Sequence, residues 1–469
     1  MSDRSELKQY ELIPSQKTMV YMLKYSLHKQ VTYVPTSFAV ARRLDFALLE
    51  QVLRTETLRN DCLRIVFRKT RRGITQAFLP NRDLPPVEVL HFDSTAQQEA
   101  VFDADAAKPL CIFRDETFRV RFFTDADGKC GIYLNVSHLV MDAAATSVFY
   151  RDLLAVYDAL ERGGALPEPL SSFEAHLTKE YTYLRSEKYR RDLEFLTQFH
   201  SAMGGPPFYA GVHGPQMLDR QRKLLHDPAL GVPVAFDPFR DKAQTYRTET
   251  DESTAKLLLD FCEKTGASPE ILLQTGFKLH AARINRRAED TMIMALCGRR
   301  VTEDEKNMGG CLTQPVQMRT KMPLTATFAE TVRDASRTRM SLYRHMDFPY
   351  LDALELERKM YHFNRAQGPA LMMYTWLPVD RLGESFDCAV EYRGYALDRY
   401  IMPLYTFTYK IPQKSSIRFY YLFRTNTITL PQIQALHKGC LDALRIGIEN
   451  PQITLADLYD AIERQARHA

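Results

Sequence analysis

The residues 131–160, GIYLNVSHLVMDAAATSVFYRDLLAVYDAL, change their hydrophobic period midway. Ile132, Leu134 and Val136 alternate with Tyr133, Asn135 and Ser137, which is the period of a strand. Val148, Leu154, Tyr157 and Leu160, beside Phe149 and Leu153, recur at helical spacing. Any fold of this chain must accommodate both periods and the turn between them. His138 stands where the extended segment stops. Such a position is rigid and yet open to a cleft, which is where a catalytic base belongs. A lone histidine at a strand end is more often a satisfied, partly buried side chain. Of the twelve histidines, however, only His138 has an aspartate four residues later, Asp142.

The 469 residues suffice for two ordinary domains with sizeable cores. Hydrophobic residues make up 45% and charged residues 26%, the balance of a globular protein. A net charge of +4 is too mild to argue for nucleic acid. No apolar run reaches membrane-spanning length, and the polar start lacks the apolar core of a signal peptide. Eight cysteines are scattered without metal-ligand spacing, so reduced thiols, no metal site and a cytoplasmic location are expected. The sequence carries neither a Walker loop nor a dinucleotide fingerprint, and no permanently bound cofactor is expected.

Elsewhere the chain punctuates itself clearly. A helix starts near Ser15, a strand covers 32–40 and a helix 45–59. Residues 68–73 form a basic turn, read as a solvated hairpin tip, and Asp127-Gly128 signals a hairpin into the 131–137 strand. A polar helical stretch runs over 173–200, and 203–239 is dense in glycine and proline. The second half restarts with a strand at 245–250 and a helix at 253–264 stopped by Gly266. Ser268-Pro269 opens a helix to about 284, and a strand follows at 291–296. Thr327 and Glu330 form a capping-box pair. Strands at 370–376, 403–409 and 417–423 precede helices from 431 onward. The expected organisation is an N-terminal lobe at 1–200, a linker at 201–244 and a C-terminal lobe at 245–469.

The run Ser137-His138-Leu139-Val140-Met141-Asp142-Ala143, with its flanking strand and helix, resembles the signature of the chloramphenicol-acetyltransferase-like superfamily. Within it, the condensation domains of nonribosomal peptide synthetases are the most similar branch. Their signature is His-His-x-x-x-Asp-Gly. His138 matches the second histidine and Asp142 the aspartate, while Ser137 and Ala143 replace the first histidine and the glycine. Ile13-Pro14-Ser15-Gln16 stands where the family has Leu-Ser-x-x-Gln, and 60–67 is similar to its His-x-x-Leu-Arg-x-x-Phe segment. Cys297-Gly298-Arg299 resembles a strand ending in Gly-Arg. Residues 307–319 resemble the family's Gly-x-x-x-Asn-x-x-Pro-x-Arg strand, with Gln314 near the asparagine position, the proline displaced to Pro315 and Arg319 at the end. Residues 345–354 look like the family's post-helix segment, so the resemblance runs in order along nearly the whole chain.

The resemblance implies an α/β fold of two chloramphenicol-acetyltransferase-like lobes, a V-shaped pseudo-dimer with a central active-site tunnel. No sequence repeat marks the two lobes. It implies that His138 is the catalytic residue, a general base or a group that positions the nucleophile, which suits an imidazole titrating near working pH. It implies that Asp142 is structural and paired with an arginine, assigned to Arg64, because a buried carboxylate needs a partner. Ser137 and Ala143 flank the motif, and Gln314 and Tyr374 are cleft candidates. Backbone N–H groups at the start of the following helix would stabilise an oxyanion. Neighbouring strand residues point to opposite faces, so Ser137 is not activated by His138.

The implied activity is amide formation by a stand-alone condensation-type acyltransferase. The donor would be the phosphopantetheine thioester of an acyl or peptidyl carrier protein acting in trans, or a CoA thioester, and the acceptor a small-molecule amine. The basic turn at 68–73 offers a weak docking surface for an acidic carrier. The rivals are an ester-forming O-acyltransferase using an alcohol, a peptidyl epimerase sharing the histidine motif, and a catalytically degenerate docking domain, which Ser137 and Ala143 favour. The Ser-His-x-x-x-Asp pattern also resembles fungal terminal condensation domains that cyclise peptides, with a tyrosine that fits Tyr157; the simpler reading of Tyr157 is a core residue.

Overall fold

The computed structural model describes residues 7–71, 73–234, 239–364, 367–368, 370–377, 379, 388–395, 397–411 and 414–468. Residues 1–6, Arg72 of the basic turn and 235–238 of the expected linker lie outside the described residues. Among the described residues the architecture is mixed α/β, with helices and three sheets. The chain forms two compact units: Met1–Ser186 with Gly298–Gln314 and Leu377–Arg399, and Glu187–Cys297 with Pro315–Trp376 and Tyr400–Ala469.

The first unit is built on a five-stranded sheet in the order Val390–Gly394, Tyr33–Val40, Cys130–Ser137, Phe118–Thr124, Val89–His91. The central strand, Cys130–Ser137, is antiparallel to both neighbours, with Ser137 opposite Tyr33 and Val136 opposite Phe118. All eight of its residues are buried. The alternation in the sequence describes one face packed and the other wet; here both faces are covered, as in a layered α/β protein. On the second face Tyr133 stacks on Phe102 of the helix Thr95–Ala106, ring centroids 4.1 Å apart. Gly131 lies opposite Phe123, whose ring would stand 2.3 Å from any Cβ placed there.

The strand feeds the helix Ala143–Glu161, capped by Asp142, whose carboxylate accepts from the Ala145 amide at 2.8 Å. Val148, Phe149, Leu153, Leu154 and Tyr157 bury its inner face, as the spacing predicts, and Val156 is buried with them. Each large apolar side chain so buried stabilises the unit by about 1.5–3 kcal/mol. Leu160 is instead among the exposed residues, at the end of the last turn.

The second unit holds a six-stranded sheet in the order Gln314–Lys321, Asp290–Cys297, Met373–Trp376, Leu404–Lys410, Ile417–Arg424, Ala243–Glu249. Met373–Trp376 runs parallel to both its neighbours, and the last three strands are antiparallel. The helices Glu252–Thr265, Pro269–Ile284 and Leu430–Glu449 pack its main core. Gly266 ends the first of these with φ 72°, and Ser268 caps the second through the Ile271 amide. Thr327 and Glu330 form the expected capping box. The polar stretch at 173–200 is two helices, Phe173–Tyr183 and Glu187–Ala202. The stretch read as linker contains a further helix, Gln216–Leu224.

Candidate active site at the strand–helix junction

The main chain leaves the sheet at His138. The Ser137 amide donates to the Thr117 carbonyl at 2.9 Å and the His138 amide to the Thr32 carbonyl at 2.8 Å. The chain then turns, with the Val140 amide donating back to the Ser137 carbonyl at 2.8 Å. The turn is pinned from outside. Gln16 donates to the Leu139 carbonyl at 2.9 Å and exchanges hydrogen bonds with Gln76. Both faces of the junction are therefore fixed before any side chain acts.

His138 keeps part of its surface exposed. Burial of the rest lowers its pKa from the usual 6.5, and the Asp142 charge and a hydrogen bond to its own carbonyl oppose this without cancelling it. The imidazole is neutral at neutral pH. Its Nδ1 lies 3.5 Å from the Cys311 sulfur, and its Nε2 has no hydrogen-bond partner among the described residues. After the turn, the amides of Ala143 and Ala144 open the helix without intramolecular partners among the described residues, and both residues are partly exposed.

Asp142 is 1% exposed and accepts four hydrogen bonds. Oδ1 accepts from the Ala145 amide at 2.8 Å and from Arg300 at 3.1 Å; Oδ2 accepts from the Leu312 and Thr313 amides at 2.8 and 3.0 Å. Burial alone would raise its pKa, but the Arg300 charge and the amides of Ala145 and Leu312 outweigh it and hold the carboxyl below its usual 3.8. The Arg300 guanidinium donates in addition to the carbonyls of Glu305, Met308, Gly309 and Gly310. Asp142 makes no hydrogen bond to the imidazole among the described residues. It ties residues 300–313 onto the motif.

The assignment of Arg64 as that partner is corrected. Arg64 donates from Nε to the Thr57 carbonyl and from one terminal nitrogen to the Leu79 and Pro80 carbonyls, so it bridges the chain before and after the hairpin at 65–78. Tyr374 is corrected as a cleft candidate as well: it is fully buried in the core of the second unit, its hydroxyl 2.6 Å from Thr408 Oγ1. Gln314 is buried at the first position of its strand, one residue beyond the amides that Asp142 binds. Ser137 is 1% exposed, and its hydroxyl accepts from the Leu139 amide at 3.4 Å, a turn-stabilising role. Tyr157 is a core residue whose hydroxyl accepts from the Asp45 amide. Arg319 pairs with Asp290 inside the second unit.

Sequence reasoning misses three parts of the site. Arg300 directly follows the Gly298-Arg299 pair of the family pattern; Arg299 itself goes to Glu180, at 2.7 Å. Ser15 donates to the Cys311 carbonyl at 2.6 Å, and Gln16 reaches the motif turn, both from the Ile13–Gln16 segment, whose sequence carries no hint of that role. Cys311 has no sequence signal. Among the described residues no group of three or more His, Cys, Asp or Glu could hold a metal ion, and no helix is long and apolar enough to cross a membrane.

Residues 6–204 match the family model described as Condensation domain. Surfactin synthase subunit 1 of Bacillus subtilis (strain 168) is 24% identical over 355 residues, which is 74% of this chain and 9% of that protein. Surfactin synthase subunit 2 of the same organism is 21% identical over 75% of this chain and 9% of its own length. The chain thus spans a small part of these relatives. Among solved structures, the first condensation domain of the calcium-dependent antibiotic synthetase, in complex with a substrate analogue, shares the fold with a TM-score of 0.78 and 18% identity, over 96% of this chain and 98% of that one. The starter condensation domain of rhizomide synthetase, in complex with C8-CoA and Leu-SNAC, aligns with a TM-score of 0.78 and 14% identity over 95% and 96%. Residues 6–204 thus resemble the condensation domain in sequence, and the fold of a solved condensation domain extends over 96% of this chain, with the motif placed at a strand–helix junction.

Proposed function

We propose that this protein forms an amide bond between an acyl group carried as a phosphopantetheine thioester on a carrier protein and an amine acceptor. The amine nitrogen attacks the thioester carbonyl carbon, a tetrahedral oxyanion forms, the C–S bond breaks and the pantetheine thiol leaves. The proton lost by the amine goes to His138 Nε2 and from there to the departing sulfur. The observation that carries the reading is the neutral, partly exposed imidazole with an unpartnered Nε2 at the strand end. The unpaired amides of Ala143 and Ala144 are suited to the oxyanion, at the positive end of a 19-residue helix. Asp142 and Arg300 act on the scaffold and not on the substrate.

Support for a thioester donor comes from relatives that are peptide synthases and from a starter domain solved with C8-CoA and Leu-SNAC. The test is intact-mass analysis of acyl-loaded carrier proteins, added as separate chains, with amine or alcohol acceptors. Amide product that disappears in His138→Ala, with the fold retained, supports the proposal. Ester product only, or transfer from acyl-CoA only, would select the O-acyltransferase reading. Unchanged turnover in His138→Ala would refute the role given to the imidazole.

A further inference from the structure

We infer that Cys311 is a positioning residue for His138: its sulfur accepts the Nδ1 hydrogen and holds the imidazole in the tautomer whose Nε2 is free to take a proton. The inference rests on the proposed general-base role of His138 and assigns what sets that role up.

The sulfur lies 3.5 Å from Nδ1, within reach of a hydrogen bond to sulfur. Two tautomers are open to a neutral imidazole in such a pair. With the proton on Nε2 the ring is no base at that atom, and with the proton on Nδ1 it is. The general-base role proposed for Nε2 requires the proton on Nδ1, and the Cys311 sulfur is the group beside Nδ1. In that tautomer the Nδ1 hydrogen faces the sulfur. The thiol is fully buried, and burial together with the nearby Asp142 charge pushes its pKa well above the usual 9. The pair is then thiol and imidazole, not thiolate and imidazolium, so this is not the activated pair of a cysteine nucleophile.

The position of the sulfur is built. Leu312 and Thr313, the two residues after Cys311, donate their amides to Asp142, and Ser15 donates to the Cys311 carbonyl. Before it, Gly309 and Gly310 are wedged so tightly that a Cβ would stand 2.2 Å from the Cys62 sulfur and 2.2 Å from the Phe173 ring respectively. Asp142 thus acts on the imidazole through the 311–313 segment without touching it. Serine in place of cysteine keeps an acceptor beside Nδ1, and alanine does not.

The experiment uses the full chain, with Cys311→Ala and Cys311→Ser, fold checked by circular dichroism. Ring 15N signals of His138, assigned by their loss in His138→Ala, report the tautomer without any substrate. Steady-state transfer to an amine reports kcat and KM separately. Cys311→Ala is expected to move the ring signals away from the Nδ1-protonated pattern and to lower kcat about tenfold at unchanged KM, the usual worth of one hydrogen bond. Cys311→Ser is expected to restore both. Unchanged ring signals and kcat in Cys311→Ala would overturn the inference. So would an inactive Cys311→Ser together with an acyl adduct on Cys311 in the wild-type protein. A tautomer shift in a protein that transfers to no acceptor would uphold the positioning and remove the proposed function instead.

Discussion

Replacing Asp142 by alanine tests the scaffold of the site most directly. The change removes the acceptor of four hydrogen bonds and the countercharge of Arg300. Loss of a helix cap costs about 1 kcal/mol. Breaking a buried ion pair by deleting one partner costs about 3–5 kcal/mol. These losses overlap, because residues 309–313 can peel toward water and re-solvate their amides and Arg300. The total therefore stays near 3–5 kcal/mol, which multiplies local opening by roughly a hundredfold to a few thousandfold. The single tryptophan, Trp376, belongs to the second unit, and a chain of two units does not unfold in one step, so fluorescence melting reads the wrong part. Amide hydrogen exchange over residues 138–150 and 298–314 reads the right one. Asp142→Asn keeps a good cap and loses only the charge, so it should open less. Adding Arg300→Met to Asp142→Ala should recover much of the protection by removing the stranded cation. Unchanged exchange over 298–314 in Asp142→Ala would refute the reasoning. The pH dependence follows from the same contacts. The folded carboxyl titrates below 3.8, so the unfolded chain takes up the proton first; the stabilisation is complete at neutral pH and is lost as pH falls below about 3.8 through the folded value.

Three further outcomes are expected. Burial lowers the His138 pKa, so the acid limb of kcat/KM against pH should have its midpoint below 6.5; a midpoint at or above 6.5 would contradict a buried neutral base. Gly310→Ala must hold an alanine at φ 87° with its Cβ against Phe173, and should destabilise the 298–314 segment by about 2 kcal/mol or more in hydrogen exchange; wild-type protection would mean that the segment has room to move. In the second unit, Glu357 is raised to about 7 and His200, 3.7 Å away, is lowered to about 4. The glutamate makes the folded state bind more protons between about 4.5 and 7, so its contribution falls as pH rises there; the histidine does the opposite between about 4 and 6.5. Glu357→Gln should unmask the histidine, so that stability read from Trp376 fluorescence rises from pH 4.5 to 6.5 more steeply than in the wild type, and identical slopes would exclude this coupling.

What the sequence reveals about this site divides by distance along the chain. His138 and Asp142 are legible because a strand end, a turn and a helix cap are local, and four residues of spacing contain all three. The burial of both faces of Cys130–Ser137 is not, because Phe102 arrives from a helix whose own pattern says nothing about where it lands. Tyr374 alternates correctly in its strand, but which face meets solvent is decided by helices 269–284 and 430–449. The arginine is the instructive case. Arg64 and Arg300 are both arginines beside strands, and the charge of a guanidinium does not say which carboxylate it will neutralise. Its remaining donors do. The half-buried Arg64 spends Nε on the Thr57 carbonyl of the preceding helix and one terminal nitrogen on the Leu79 and Pro80 carbonyls after its hairpin, and makes no bond to Asp142 among the described residues. Both terminal nitrogens of Arg300 donate to carbonyls at 305, 308, 309 and 310, while its buried Nε has no partner among the described residues, and this demands a main chain folded tightly around the guanidinium. The sequence trace of that cradle is the pair Gly309-Gly310, nine and ten residues downstream, where no side chain fits. A search for the partner of a buried carboxylate should therefore look beyond the nearest cation, to the cation followed by a stretch of backbone able to satisfy the rest of it.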